Sequence, residues 1–307
     1  MLLDRTHREP ATLALKQRIV AFMRHASTEI SPSEEKRLPE LASILPAGTP
    51  VYVAHTPNAS FAQVIRAALA ARDAGFLATP HIAVRRIPDA ASLRAGLGSL
   101  KAGGVEQILL IAGDAPRPLG EFSSTQDILE TRMIEHSGIA RIGIAGHPAG
   151  HNAVGTPLLW DALEMKQAFS RRASVAMHIV TQFGLDASAF AVWERELVRR
   201  RIELPVHVGI AGPATLARLL HFAVRCGIGA SMRALMRNLN TAAHAPELAL
   251  SPDQHLLTLL AAPLAAQIVA PHFFAFGGAL QTARWMQRIA AGEFEIDTVS
   301  GRLSIEN

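Results

Sequence analysis

V-E-Q-I-L-L-I-A-G-D-A-P, residues 105–116, decides the fold. Its apolar run Ile108–Ala112 is short, has no polar face, and is bounded by Gly103-Gly104 before it and Gly113 after it. That is how a parallel strand buried on both faces reads. Asp114 follows directly. A carboxylate just past the carboxyl end of such a strand lies where α/β sheets and barrels hold their ligands. An aspartate there serves equally well as a turn or helix N-cap residue, so its meaning depends on what else arrives at the same end.

Similar strand signals recur along the chain. A first strand over His25–Ser33 ends at Pro32 and puts Glu29 near its exit; others follow at Val51–His55, Phe76–Val84, Val105–Ala112, Ala140–Ala145, Val175–Thr181, Val206–Ile210 and His272–Phe276. Between them, Ser60–Ala74, Ala90–Lys101, Leu158–Ser170, Ala187–Arg201 and Ala214–Cys226 carry apolar residues at the three- and four-residue spacing of amphipathic helices. Strands alternating with helices over 307 residues predict an α/β fold, a (β/α)8 TIM barrel in a single domain. An open doubly wound sheet is the alternative, but no G-x-G-x-x-G follows the first strand. Residues 1–24 predict an N-terminal capping helix, 25–290 the barrel and 291–307 a C-terminal tail, with Asn238–Pro252 linker-like.

Composition narrows the function. A hydrophobic fraction of 49% fills a core readily. The most apolar segment, Leu256–Ala270, is broken by Thr258, Pro263 and Gln267, short of the ~20 apolar residues a membrane span needs, and reads as a buried helix pair or a helix plus a strand. The charged start M-L-L-D-R-T-H-R-E-P lacks the apolar region of a secretory signal, so a cytoplasmic protein with no membrane partner is expected. Cys226 is the single cysteine, which excludes an internal disulfide and a thiolate metal cluster. Thirty basic residues against 26 acidic ones are scattered, and one tyrosine and three tryptophans offer little base stacking, so no nucleic-acid partner is expected.

In a barrel, topology alone collects Glu29, His55, His81, Asp114, His147 and Gln182 at the strand exits. Each has a plain structural reading; their coincidence at one end points to a site. His147 and His151, in H-P-A-G-H, are spaced like metal ligands, but Pro148 and Gly150 oppose a shared helix face and no third ligand lies nearby, so no metal is expected.

Five segments together resemble a known family: S-T-E-I-S-P (Ser27–Pro32), A-T-P-H-I (Ala78–Ile82), L-I-A-G-D-A-P (Leu110–Pro116), I-G-I-A-G-H-P-A-G-H (Ile142–His151) and I-V-T-Q-F-G-L-D (Ile179–Asp186). In order and spacing they are similar to motifs of the methylenetetrahydrofolate reductases, over Ser27 to Trp285, without a trailing regulatory domain of the eukaryotic kind. The resemblance implies a flavin-bearing barrel with FAD as cofactor. It would interconvert 5,10-methylenetetrahydrofolate and 5-methyltetrahydrofolate with NAD(P)H as electron source, in the one-carbon metabolism that serves methionine synthesis. A homo-oligomer is left open. By the same resemblance Glu29 matches the general acid, Asp114 the aspartate at the pterin beside the flavin, and Gln182 the glutamine that orients the pterin. His55, His81, Ala112, Gly113, Asp114, His147, His151, Asp161 and Lys166 match positions along the flavin or its ribityl-phosphate chain.

Three departures stand out. Ala112-Gly113-Asp114 replaces the usual Arg-Gly-Asp, Gln167 and Ala168 follow Lys166 in a segment normally rich in basic residues, and Gly278 stands where an arginine would meet the glutamyl tail of folate. Arg171, Arg172 and Arg284 are the nearby candidates to compensate. The departures raise two alternatives: direct hydride transfer from NAD(P)H without a flavin, or a non-catalytic barrel that binds folate or a partner.

Overall fold

Short runs of β-branched and other apolar residues, each followed by an amphipathic helix, build a closed parallel barrel in the computed structural model, which describes residues 3–184, 187–225, 249–250, 252–261, 264–297 and 302–305. Its strands are β1 (Ser27–Ile30), β2 (Pro50–Val53), β3 (Leu77–Ala83), β4 (Gln107–Ile111), β5 (Arg141–Gly146), β6 (Ala176–Thr181), β7 (Val206–Ala211) and β8 (Ile268–Phe274). Each pairs in parallel with its chain neighbour, and β8 closes the ring on β1 through Ser27 opposite His272. The fold is the predicted (β/α)8 barrel.

The helices are α1 (Leu3–Met23), α2 (Leu38–Ile44), α3 (Phe61–Asp73), α4 (Ala90–Ala102), α5 (Thr125–Glu130), α6 (Met133–Ser137), α7 (Thr156–Ala173), α8 (Ala187–Arg199), α9 (Leu216–Arg225), α10 (Asp253–Ala261) and α11 (Ala279–Ala290). Their starts are written locally: Ser60 and Gln63 form a reciprocal capping box at α3, Ser124 and Asp127 another at α5, and Asp89 accepts the Ser92 N–H at α4. Helix α1 packs against α10, α11 and β8. Among the described residues, no helix is long and apolar enough to cross a membrane.

Several boundaries differ from expectation, two of them with a visible cause. The last strand starts at Ile268 rather than His272, because Ile268–Pro271 extend along β7, and it ends at Phe274, where the Phe276 N–H turns back to the Phe274 carbonyl. The helix expected from Ala214 starts at Leu216, since Ala214–Thr215 pairs antiparallel with Ala249–Leu250. That pairing makes the end of the linker-like stretch a strand; Cys226 and 238–248 lie outside the described residues.

Strand side chains alternate between two environments. Outward residues such as Val51, Ile108, Leu110, Ile142, Ile144, Ile179 and Val208 join the apolar layer under the helices. The inward set is far more polar. Around Tyr52, Leu109 and Val180 lie Ser27, Thr79, His81, Gln107, His178 and His272, all buried. Tyr52 Oη is 2.9 Å from His178 Nε2, Ser27 Oγ is 2.9 Å from His272 Nδ1, and Gln107 donates to Thr79 Oγ1 at 2.6 Å. Gly143 makes room for this: a Cβ there would stand 2.8 Å from Leu109 and 3.0 Å from His178 Nε2.

Candidate active site

Glu29, next to last in β1, is partly exposed by area while its carboxyl lies among protein atoms at the carboxyl end of the barrel. Desolvation, reinforced by the charge of Glu34 and opposed by a hydrogen bond from the Ala275 backbone, pushes its pKa up to about 8. At neutral pH this carboxyl carries a proton it can donate.

Asp114 reaches the same end from the turn after β4. That turn needs Gly113, which has φ +88° and would place a Cβ 3.1 Å from the Ala83 Cβ. Arg86, in the 3-10 turn after β3, grips Asp114 Oδ1 from Nη2 at 2.8 Å and from Nε at 3.3 Å, and donates from Nη1 to the Pro57 carbonyl at 3.2 Å. Its neighbour Arg85 ties down the loop beyond Asp114 through the Ala115 and Ser123 carbonyls. Asp114 is therefore an ion-paired residue held on a braced loop.

His55 and His81 are buried beside this pair. The Ala59 backbone approaches the His55 ring, and Nε2 of His81 has no hydrogen-bond partner. Burial, with Arg86 nearby, lowers His55 to about 4, and burial, with His55 nearby, lowers His81 to about 3, so both are neutral imidazoles. On the β6 side, Gln182 donates from Nε2 to the Gly150 carbonyl at 3.1 Å, which leaves its buried Oε1 as an acceptor without a partner. A cleft opens beside it, lined by Pro148, Thr181, Phe190, Gly209 and His255.

Lys166 is 7% exposed, and no ion pair holds it among the described residues; burial lowers its pKa to about 8. Its charge is felt at His147, whose ring meets that of His151 edge to face at 5.4 Å between centroids. A buried ring nitrogen of His81 without a partner and a buried cation at Lys166 with no ion pair among the described residues suit a polar, phosphate-bearing ligand. Ala112 offers no side-chain donor, and Asp161 is exposed on α7, five residues and so about 140° around the helix from Lys166.

None of the arginines expected to compensate does so. Arg171 and Arg172 sit in the last turn of α7, at the opposite end of the barrel from the strand exits, where Arg171 pairs with Glu203 at 2.8 Å. Arg284 pairs with Glu40 at 2.9 Å, and Gln167 accepts the Glu203 N–H, bracing the approach to β7. The cation that is present is Arg86, which sequence reasoning missed. Its one sequence signal was the pair Arg85-Arg86 at the end of a strand.

The interior histidines make stability depend on pH. Burial lowers His178 to about 3 and His207 to about 4, and holds His272 well below its ordinary 6.5. The native state keeps these imidazoles neutral, whereas the unfolded chain protonates them at about 6.5, so stability is lost as pH falls below that value. Each contributes a slope of about 1.4 kcal/mol per pH unit until its native pKa is reached. Glu29 acts oppositely: its native pKa is raised, so its contribution is lost as pH rises from 4.5 to about 8. Denaturant melts should show stability greatest near neutrality and falling steeply from pH 6.5 to 4.5, with a shallower slope in His207→Gln. A flat profile over that range would contradict neutral buried rings.

Among solved structures, the chain resembles dihydropteroate synthase from Thermus thermophilus, with 12% identity over 86% of this chain and 92% of that one, at a TM-score of 0.46. It also resembles Mycobacterium tuberculosis tryptophan synthase, with 13% identity over 92% and 96% of the two chains and the same TM-score of 0.46. The family comparison is decisive: residues 34–277 match the model of methylenetetrahydrofolate reductase. The match spans most of the barrel, from the turn after Glu29 through β8, and the chain accordingly belongs to the methylenetetrahydrofolate reductase family, folate oxidoreductases of one-carbon metabolism.

Proposed function

We propose that this chain interconverts 5,10-methylenetetrahydrofolate and 5-methyltetrahydrofolate with NAD(P)H as the electron source. The observation that carries the proposal is Glu29, a carboxyl that stays protonated at neutral pH among the strand exits. Ring opening between N5 and N10 requires a proton on N10, and an acid whose pKa lies near the working pH delivers it best. Glu29 gives its proton to N10, the N10–methylene bond breaks, and the resulting N5 iminium accepts hydride at the methylene carbon to become the N5 methyl group. Gln182 Oε1 accepts an N–H from the pterin edge, and Asp114, held by Arg86, accepts another. Both receptors stand on strand exits, so the ring is oriented with little motion of the protein.

FAD, when bound, supplies the relay of hydride from nicotinamide to folate. His55 and His81 would meet its polar edges, and Lys166, His147 and His151 its phosphate-bearing chain. A second reading, direct transfer from the nicotinamide, is favoured by one observation: the cation beside Asp114 is already engaged as its ion pair, and Ala112 contributes none. The visible spectrum of the purified protein decides between the readings. A yellow protein bleached by NAD(P)H supports the flavin. A colourless protein that takes up no added flavin, yet oxidises NAD(P)H only when methylenetetrahydrofolate is present, supports direct transfer. Absence of folate-dependent NAD(P)H oxidation with or without flavin sinks both.

A further inference from the structure

Gly278 carries no cation, and its backbone disfavours one: φ is +111°, a conformation that side chains rarely adopt. A guanidinium reaches the same loop from another element. Arg218, exposed in the first turn of α9, donates from Nη1 to the Phe276 carbonyl at 3.2 Å, two residues before Gly278. Among the described residues no carboxylate pairs with it, and its Nε and Nη2 keep their donors. Gly277 permits the approach, because a Cβ there would collide with the Pro213 carbonyl; the loop after β8 therefore lies directly on the chain that leads into α9. Between Arg218 and the strand exits runs an aromatic wall. Phe274, Phe276 and Phe222 stack in that order, with centroids 5.5 and 4.4 Å apart and successive planes 17° and 15° apart. Phe183, next to Gln182, meets Phe276 edge to face at 4.7 Å. Phe276 is buried, whereas Phe274 and Phe222 are half-buried.

We propose that Arg218 is a specificity-determining residue, a cation that takes a carboxylate of the substrate's glutamyl tail while the benzoyl ring of that tail lies against the phenylalanine wall. The proposal rests on the reading of Glu29 as the acid that protonates N10 of folate. N10 also carries the aminobenzoyl group, so the tail starts where Glu29 acts, and its glutamate carboxylates follow at roughly 9–11 Å by ordinary bond lengths. Consecutive residues of one loop span that interval: the Ala275 backbone hydrogen-bonds the Glu29 carboxyl, and the Phe276 carbonyl holds Arg218. An amide nitrogen and the next residue's carbonyl oxygen lie at most about 7 Å apart, and two hydrogen bonds add about 3 Å each, so the guanidinium stands within about 13 Å of the acid. The other cations named for this end are committed, Arg86 to Asp114 and Arg284 to Glu40. With Nη1 anchored on the backbone, Nε and Nη2 form the fork that meets a carboxylate in two hydrogen bonds.

The test compares two ligands by calorimetry: 5-methyltetrahydrofolate, and the neutral methylamide of 5-methyltetrahydropteroate, which keeps the pterin and the benzoyl amide but lacks both tail carboxylates. Wild-type protein should bind the folate about tenfold or more tighter than the methylamide, the low end of what charge-assisted hydrogen bonds contribute. R218Q should bind the two about equally, at the wild-type affinity for the methylamide. In turnover, R218Q should raise KM for methylenetetrahydrofolate by a similar factor while kcat stays within about twofold, because the tail lies away from the reacting carbon. R218K keeps a point charge without the fork and should fall between the two. Wild-type protein that binds both ligands equally overturns the proposal, a result that needs no variant. A preference for the folate that survives in R218Q overturns it as well, and so does an equal loss of both ligands, which would mark Arg218 as a prop for the Phe276 loop alone. If wild-type protein binds neither ligand, the folate reading falls and takes this proposal with it; if it binds the folate while R218Q matches wild type, only the role of Arg218 falls.

Discussion

Glu29→Gln is expected to slow methylenetetrahydrofolate reduction by roughly 10²–10⁴-fold, the contribution of a positioned general acid. Glutamine keeps the size of the side chain and can still accept the Ala275 hydrogen bond, but it has no proton to give N10. Any oxidation of NAD(P)H that proceeds without folate needs no such proton and should be nearly unchanged. The wild-type folate step should fall as pH rises through about 8, where Glu29 ionises, and that limb should vanish in the glutamine variant. Stopped-flow measurement of both steps decides the matter: equal losses would point to a damaged binding site, and no loss in either would remove Glu29 from the mechanism. In the direct-transfer reading the same variant should abolish the single step, because N10 must be protonated whichever donor supplies the hydride.

The barrel was legible because burial on both faces leaves a strong mark. The apolar run Ile108–Ala112 between glycines falls on β4, and the helices expected between strands announce themselves by period. The polar interior was hidden by the same pattern. Outward Val, Ile and Leu residues make a strand read as apolar, while the inward Ser27, Thr79, Gln107 and His178 occur singly, and their partners lie across the barrel, 126 residues apart for Tyr52 and His178. The last strand was misplaced because Pro271 suggests a boundary, whereas inside β8 it stands opposite Val208, just past a register shift between Ile268 and Ala270. Candidate site residues are brought to one end because topology requires it of strand exits. What topology cannot convey is which of them are tied to each other.

Arg86 and Asp114 illustrate that limit and yield the second large prediction. They are 28 residues apart, on consecutive β-to-α turns, and only the neighbouring positions of β3 and β4 in the barrel bring a guanidinium onto the carboxylate. The pairing restores a cation beside this aspartate from a different strand than the Arg-Gly-Asp pattern would use, with its charge directed at Asp114. Asp114→Asn should leave the fold intact, because the pair is partly exposed and such pairs contribute little to stability. Folate turnover should drop by roughly 10²-fold or more, the loss expected when one preorganised electrostatic group is removed. Arg86→Gln should cost less, since the carboxylate remains but is free to turn away from the pterin. If Arg86 works by aiming Asp114, the double variant should be no slower than Asp114→Asn alone, because there is then no carboxylate left to aim. Losses that multiply in the double variant would mean that Arg86 meets a ligand independently, and near-normal turnover in Asp114→Asn, with a normal melt, would show the anion to be dispensable.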